Sequence, residues 1–239
     1  MLKRLAFWGA IPFLIPQALY VRRTAPRFAG ASGPDRGTTG EGSPLRLHAV
    51  GDSIIAGVGA SDYSRALIGR TAEALSGRLE RTVDWSARGR IGARSADLLS
   101  DLIGRMEPDP ADVVLVSVGV NDVTGLRTTT AWVRNLRSII ARLREHSPDA
   151  VIAFAGLPPL SVFPLLPQPL RAVIGLRGRT FDEAARDVVA RHERVVHVPI
   201  QFEIAPEKFA ADGFHPSEES YVDFGDAVAD AIIPEINGN

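Results

Sequence analysis

The sequence contains no cysteine at any of its 239 positions. This absence excludes disulfides, thiolate metal sites, a cysteine nucleophile and the acylated cysteine of a bacterial lipoprotein. The chain also has no marked surplus of charge, because its 28 acidic residues nearly balance 27 lysines and arginines, for a formal net charge of −1. Such a balance creates no overall field that would attract nucleic acid, so we expect no nucleic-acid partner.

Several cofactor signatures are missing as well. The chain has no Walker motif, no G-x-S-x-G elbow and no histidine-rich spacing for a metal ion. Gly57-Val58-Gly59 has the glycine spacing of a dinucleotide fingerprint, but Asp62 stands where the third glycine would be. A nucleotide-binding protein is therefore a weak alternative, and we expect neither a metal nor an organic cofactor.

The N-terminus has the charge pattern of a targeting segment. Two basic residues at positions 3 and 4 precede an apolar run over residues 5–21, which only Gln17 interrupts, and two arginines follow it. This pattern predicts a signal or membrane anchor over residues 1–23. The run is short for a bilayer span, and a weak A-x-A pattern follows only after further arginines, which favours an uncleaved anchor or a poorly cleaved signal. We expect the protein to be membrane-anchored or exported, in the cell envelope or periplasm or secreted.

The rest of the chain divides into a linker and a domain. Residues 24–44 are rich in Gly, Ser, Thr and Pro, which predicts a flexible linker. Over residues 45–236, short apolar runs alternate with longer helical patterns, which predicts a single α/β domain with a five-stranded, mostly parallel sheet. The apolar run at 113–118, with a single serine, has the pattern of a central strand covered on both faces.

Polar motifs follow the predicted strands. Gly51-Asp52-Ser53 follows the first strand, Gly89-Arg90-Ile91-Gly92 the second, and Gly119-Val120-Asn121-Asp122 the third, while Asp212-Gly213-Phe214-His215-Pro216 follows the last. Ligands of open parallel sheets bind where the carboxyl ends of the strands meet the following loops. We therefore expect these motifs to meet in one site.

The motifs contain the groups that acyl transfer requires. A serine hydroxyl becomes a good nucleophile when a base removes its proton and a third group fixes the tautomer of that base. Ser53, His215 and Asp212 can fill these roles, because Asp212 is near enough in the chain to reach Nδ1 of His215. The oxyanion that forms on attack needs preorganised donors, and the N–H groups of Ser53 and Gly92 and the side-chain amide of Asn121 are available.

These motifs, in this order, resemble the four sequence blocks of the SGNH (GDSL-type) hydrolases over about residues 45–233. The four residues that name the family would be Ser53, Gly92, Asn121 and His215. The resemblance implies a flavodoxin-like three-layer α/β/α sandwich and hydrolysis of acyl esters of small molecules, lipids or glycans without a cofactor. One departure is Ala87, at a position where the family commonly has asparagine five residues before the glycine of the second block.

Several alternatives stay open at this point. Within enzymes, the chain could be an envelope-associated lysophospholipase, thioesterase or carbohydrate deacetylase. Outside enzymes, it could be an inactive module that binds a glycan or lipid. Arg88, Arg90 and Arg94 flank the predicted oxyanion glycine and could attract an anionic substrate group, although solvated surface charge explains them equally well. We interpret the remaining histidines, at 48, 146, 192 and 197, as structural.

Overall fold

The computed structural model describes residues 14–21, 23–24, 28–200 and 205–238, and within them six strands form one sheet. The strands are β1 (Arg36–Thr39), β2 (Pro44–Gly51), β3 (Thr82–Gly89), β4 (Val113–Ser117), β5 (Val151–Ala155) and β6 (Val195–Val198). Their order across the sheet is β1-β3-β2-β4-β5-β6, and all neighbours are parallel except β1 and β3. The five parallel strands have the flavodoxin-like order that the family resemblance implied.

Helices cover both faces of this sheet. They are α1 (Leu67–Leu79), α2 (Ser95–Asp97), α3 (Val120–Thr124), α4 (Thr129–His146), α5 (Leu170–Val189) and α6 (Glu218–Asn237). A π-helical turn (Leu98–Leu102) and a 3-10 turn (Ile103–Arg105) continue α2, and further 3-10 turns lie at Leu160–Val162 and Pro206–Lys208. One apolar core lies between the sheet and the pair α1 and α6, and a second lies between the sheet and the pair α4 and α5.

Local sequence explains the central elements. All five residues of β4 are buried, as expected for an apolar run at the centre of a sheet with two covered faces. Helix α4 begins where the Thr128 hydroxyl accepts the N–H of Ala131, and it buries one apolar face. On that face Trp132 stacks on Phe181 and donates its indole N–H to the Phe181 carbonyl at 2.9 Å. This contact ties α4 to α5.

The predicted flexible linker over residues 24–44 is wrong from residue 30 onward, because residues 30–32 and a strand both contact the domain. Strand β1 lies inside that range and pairs antiparallel with β3, from Arg36 opposite Ser86 to Thr39 opposite Val83. The sheet therefore has six strands among the described residues, where five were predicted. Gly37 crosses the ring of Trp85 so closely that a Cβ would stand 2.5 Å from it. Composition suggested a loop because β1 is short and lacks large apolar residues.

The predicted anchor at 1–23 lies largely outside the described residues. Its last part, residues 14–21, is helical and packs on the domain through Leu14 and Val21. Within the described ranges, no helix combines the length and the apolar character needed to cross a bilayer.

Candidate active site

Ser53 lies in a tight turn at the carboxyl end of β2. Gly51 allows this turn, since a Cβ there would stand 2.1 Å from the Ser117 carbonyl oxygen of the neighbouring strand. The Asp52 carboxylate accepts the N–H of Ile54 at 3.1 Å and so closes the turn from the side. Strand β3 lies on one side of β2 and the later strands β4, β5 and β6 lie on the other, and ligands bind at a switch point of this kind in the strand order.

His215 and Asp212 reach this turn from the loop before α6. The His215 Nε2 atom lies 3.0 Å from the Ser53 Oγ, although 162 residues separate the two in sequence. The His215 Nδ1 atom lies 2.5 Å from one Asp212 oxygen, and the other oxygen accepts the backbone N–H groups of Phe214 and His215 at 2.9 Å each. With Nδ1 donating to Asp212, Nε2 is free to accept the serine proton.

The environment of Asp212 keeps it ionised. Burial alone would raise the pKa of this carboxyl group, but hydrogen bonds from the His215 ring and from the His215 and Phe214 N–H groups outweigh burial and lower the pKa. A carboxylate that stays charged can hold the imidazole in one orientation and stabilise its protonated form. The predicted serine, histidine and aspartate are therefore brought together in the order that nucleophilic catalysis requires.

The predicted oxyanion donors lie on the adjoining loops. Asn121 and Ser53 line the same pocket, and Asn121 Nδ2 donates one hydrogen to the Ala93 carbonyl at 2.9 Å, which leaves its second N–H available. Gly92, one residue before Ala93, has a φ of +80° that favours glycine, and it is not among the residues that line this pocket. The Asn121 contact thus ties the Gly92 loop to the start of α3.

A second contact between these loops involves Asp122, a buried residue. Its two carboxylate oxygens accept the Ser95 N–H at 2.9 Å and the Ser95 hydroxyl at 2.7 Å. Asn135 on α4 in turn donates to the Ser95 hydroxyl oxygen at 2.9 Å. Burial raises the pKa of Asp122, although the hydrogen bonds from Ser95 oppose the rise. No local sequence signal links positions 95, 122 and 135.

The pocket over Ser53 is mostly apolar. Its cavity volume is about 50 Å³, within an empty space of about 640 Å³ that includes open solvent. Apolar side chains from both core layers and from the loops line it, namely Ile54, Leu67, Val118, Val120, Leu157, Phe163, Ile200, Phe214 and Phe224. Leu67 and Phe224 belong to α1 and α6, which the sequence did not associate with the site. Both helices therefore contribute to the wall of the pocket.

The arginines near the oxyanion loop are mostly engaged in ion pairs. Arg88 pairs with Asp35 and Glu107, and Arg90 pairs with Asp97 and Asp101. The Arg94 guanidinium packs beside Gly125, close enough that a Cβ there would lie 3.1 Å from its Nε. The ion pairs of Arg88 and Arg90 favour the structural interpretation of both residues over attraction of an anionic substrate.

None of the other four histidines lines the pocket over Ser53. His197 lies 2.8 Å from Asp182, which also accepts the N–H of Leu157 in the pocket wall. His48 and His146 are neighbours whose rings meet edge to face. Among the described residues, no three histidine or acidic side chains are grouped as a metal site would require. Gly57 and Gly59 pack against Ala31 and Pro216.

Comparison with known proteins agrees with this geometry. A family model for GDSL-like lipases and acylhydrolases matches residues 49–222. A GDSL-like esterase of Mycobacterium tuberculosis is 27% identical over 257 residues, covering 97% of this chain and 81% of that protein.

Solved structures share the fold. A lipase from a goat rumen metagenome superposes with a TM-score of 0.64 at 16% identity, covering 77% of this chain and 95% of that one. A family 3 carbohydrate esterase of Clostridium thermocellum gives a TM-score of 0.62 at 17% identity, with coverage of 82% and 98%. The chain belongs to the GDSL-like lipase and acylhydrolase family, and it is an ester-hydrolysing enzyme.

Proposed function

We propose that Ser53 is the nucleophile of this ester hydrolase and that His215, oriented by Asp212, is its base. The hydroxyl attacks the acyl carbonyl while His215 Nε2 takes the proton, and the same imidazole then returns a proton to the leaving alcohol. In the deacylation step, water attacks the acyl carbonyl of the Ser53 ester while His215 takes its proton; the bond to Ser53 Oγ then breaks, the carboxylic acid leaves, and His215 returns the proton to Ser53. The distances of 3.0 Å and 2.5 Å along the serine, histidine and aspartate series support this order.

The negative charge that develops on the carbonyl oxygen would be stabilised by the N–H groups of Ser53 and Gly92 and by the Asn121 amide. Asn121 supports this role because its Nδ2 already donates one hydrogen to Ala93 and so has a fixed orientation. A donor that is held before the reaction spends little free energy on reorganisation during it.

The contact between Ser53 and His215 carries the proposal, and Ser53→Ala tests it directly. We expect this variant to lose hydrolysis of a short-chain p-nitrophenyl ester and to lose labelling by a fluorophosphonate probe, with its circular dichroism unchanged. Ser138→Ala, on the exposed face of α4, is the matched control and should keep both. Full activity in Ser53→Ala would overturn the assignment.

For the substrate, the apolar lining of the pocket favours an ester with an apolar acyl chain. A panel of acetylated sugars, lysophospholipids and acyl thioesters would distinguish an acyl esterase from a carbohydrate deacetylase, a lysophospholipase and a thioesterase. An inactive glycan- or lipid-binding module is less well supported, because such a module has no need of a preassembled serine, histidine and aspartate. If the protein were such a module, it would fail to react with the fluorophosphonate probe.

For the location, we propose a membrane-anchored or exported enzyme. The support is the apolar run at 5–21 between basic residues. Fractionation of cells that express the full chain, or the chain without residues 1–27, tests this. The full chain should be found in the membrane or outside the cytoplasm, and the shortened chain in the cytoplasm. The same soluble fraction for both would contradict the proposal.

A further inference from the structure

The helical residues 14–21 turn an apolar face away from the domain. Leu14 and Val21 pack against the core shared by α4 and α5. On the opposite side of the helix, the exposed fractions of Ile15, Leu19 and Tyr20 are 49%, 44% and 65%. A surface helix of a soluble domain normally places polar residues on its outer side, so an outer side of Ile, Leu and Tyr indicates a second apolar neighbour.

The only polar residue of the apolar run fixes this orientation. Gln17 donates to the Gln168 carbonyl at 3.0 Å and accepts the Leu170 N–H at 3.1 Å. Residues 168–170 lead into α5 from the loop that contains Phe163, which lines the pocket and meets Phe214 edge to face. The helix therefore lies against the connection between β5 and α5, at the edge of the sheet that carries Ser53.

Further exposed apolar side chains are found at the same edge. Ile91 directly precedes Gly92, and Leu126 lies between Val123 and Arg127 after β4. Leu176 lies near the start of α5, and the next residue, Arg177, donates to the carbonyls of Val123 and Arg127. We call the side chains of Ile15, Leu19, Tyr20, Ile91, Leu126 and Leu176 the apolar rim; it holds six of the eight large apolar residues that are exposed within the described ranges.

We propose that the apolar rim rests on a lipid bilayer, so that the pocket over Ser53 opens toward the membrane and takes its acyl ester from the lipid phase. The composition of the N-terminus identifies the bilayer as the neighbour: the helix belongs to an apolar run with basic residues at both ends, and such residues bind anionic headgroups. The opening toward lipid rests on the proposed function of Ser53; the orientation on the bilayer does not.

The arrangement has a direct consequence for substrate entry. An acyl chain that leaves a bilayer for an apolar pocket at the contact surface avoids exposing its methylene groups to water. We therefore expect hydrolysis of an ester embedded in vesicles to depend on the rim, whereas hydrolysis of a water-soluble ester does not.

Because the chain has no cysteine, single labels can report the orientation without background. We would label Leu19→Cys and Leu176→Cys in the full chain with an environment-sensitive fluorophore such as NBD. Val222→Cys is the matched control, an exposed apolar residue on α6, which packs beside α1 on the other face of the sheet. On addition of vesicles of phosphatidylcholine and phosphatidylglycerol in equal parts, labels at 19 and 176 should brighten and shift to the blue, and the label at 222 should not.

The results of the labelling experiment can be distinguished from those that test the role of Ser53. No spectral change at 19 and 176, or an equal change at 222, overturns the proposed orientation, and the former would favour a protein partner on this surface. The same labelled proteins should hydrolyse a soluble p-nitrophenyl ester in buffer. If the labels at 19 and 176 respond to vesicles but the protein hydrolyses no ester, the role of Ser53 is refuted and the proposed contact of the apolar rim with the bilayer is not. The double variant Leu19→Ser with Leu176→Ser should lose turnover of a vesicle-embedded ester and keep that of the soluble one.

Discussion

Asp122 connects the two loops that supply the predicted oxyanion donors. It directly follows Asn121, and its carboxylate accepts both the N–H and the hydroxyl of Ser95, three residues beyond Gly92. The buried carboxylate therefore fixes the distance between the Asn121 amide and the Gly92 loop, and it does not itself line the pocket. Its role is to position the donors.

Replacing Asp122 by Asn should lower kcat with little change in KM. The amide keeps one acceptor oxygen but presents an NH₂ group to one of the two Ser95 donors, so the Gly92 loop shifts, and displacements of this kind reduce rates on the order of tenfold or more. Steady-state kinetics on a soluble ester, with a melting curve, provides the measurement. Asp112→Asn is the control, because Asp112 likewise accepts a backbone N–H, that of Arg46, but at the opposite edge of the sheet. A rise in KM alone would show that Asp122 serves binding instead.

Asp52, beside the nucleophile, gives stability a dependence on pH. Its carboxyl group is buried, and burial raises its pKa from 3.8 to about 7. Between pH 3.8 and about 7 the folded chain holds a proton on Asp52 that the unfolded chain has released. The contribution of Asp52 to the free energy of unfolding is therefore greatest below pH 3.8. It falls as pH rises toward about 7 and is level above that.

The variant Asp52→Asn should remove this contribution. We expect the free energy of unfolding of the wild type to fall, relative to that of the variant, as pH rises from 4 to 7, by roughly 4 kcal/mol at most, since one pKa unit corresponds to about 1.4 kcal/mol. Urea denaturation at several pH values provides the test. Asp112→Asn, at an exposed carboxyl group, should keep the wild-type dependence. If the free energy of unfolding changed with pH in the same way in Asp52→Asn and the wild type, the raised pKa of Asp52 would be contradicted.

At the scale of elements, the parallel strands were predictable and β1 was not. The buried run of β4 shows its position in sequence alone, because no residue in it needs solvent. Strand β1 gains its stability from pairing with β3 and from the contact of Gly37 with Trp85, 48 positions later. Composition carries no signal of such a contact, and Gly and Thr in a short segment are equally typical of a loop.

In the candidate site, too, some residues were predictable from the sequence and others were not. Ser53, Asn121 and His215 were predictable because parallel strands bring their carboxyl ends, and the loops that follow them, to one edge. The link between Asp122, Ser95 and Asn135 depends on how α4 packs beside the oxyanion loop. Sequence spacing does not record that packing.

The contact of β1 with Trp85 can be tested by substitution. Gly37→Ala places a Cβ 2.5 Å from the Trp85 ring, so either the edge strand or the ring must move. We expect a loss of about 1–3 kcal/mol in the free energy of unfolding, which is typical of overpacking. The matched control is Gly77→Ala in α1, where a Cβ meets nothing within 4 Å and alanine favours the helix. Denaturant titration of both variants would show equal effects if β1 were only loosely attached.

At the scale of the whole molecule, the segment before β1 supports the nucleophile turn. The Ala31 N–H donates to the Ala56 carbonyl at 2.9 Å, and Gly30 approaches the same oxygen so closely that a Cβ would lie 2.5 Å from it. Ser32 donates its N–H to the Ser61 carbonyl at 3.1 Å. The chain between residues 30 and 44 is thus part of the catalytic domain, and it contacts the loop that follows Ser53.

Two shortened chains measure this contribution. A chain that begins at residue 28 loses the helical residues 14–21 but keeps every contact of 30–32 and of β1, so kcat on a soluble ester should stay close to that of the full chain. A chain that begins at residue 45 also loses β1 and the support of Ala56, and we expect its melting temperature to fall on the order of 10 °C, with a lower kcat. Calorimetry and steady-state kinetics on both chains provide the measurement. Equal melting temperatures and rates for the two shortened chains would show that the domain begins at residue 45. A lower kcat in the chain that begins at residue 28 would show that the helical residues 14–21, rather than residues 30–32, support the catalytic turn.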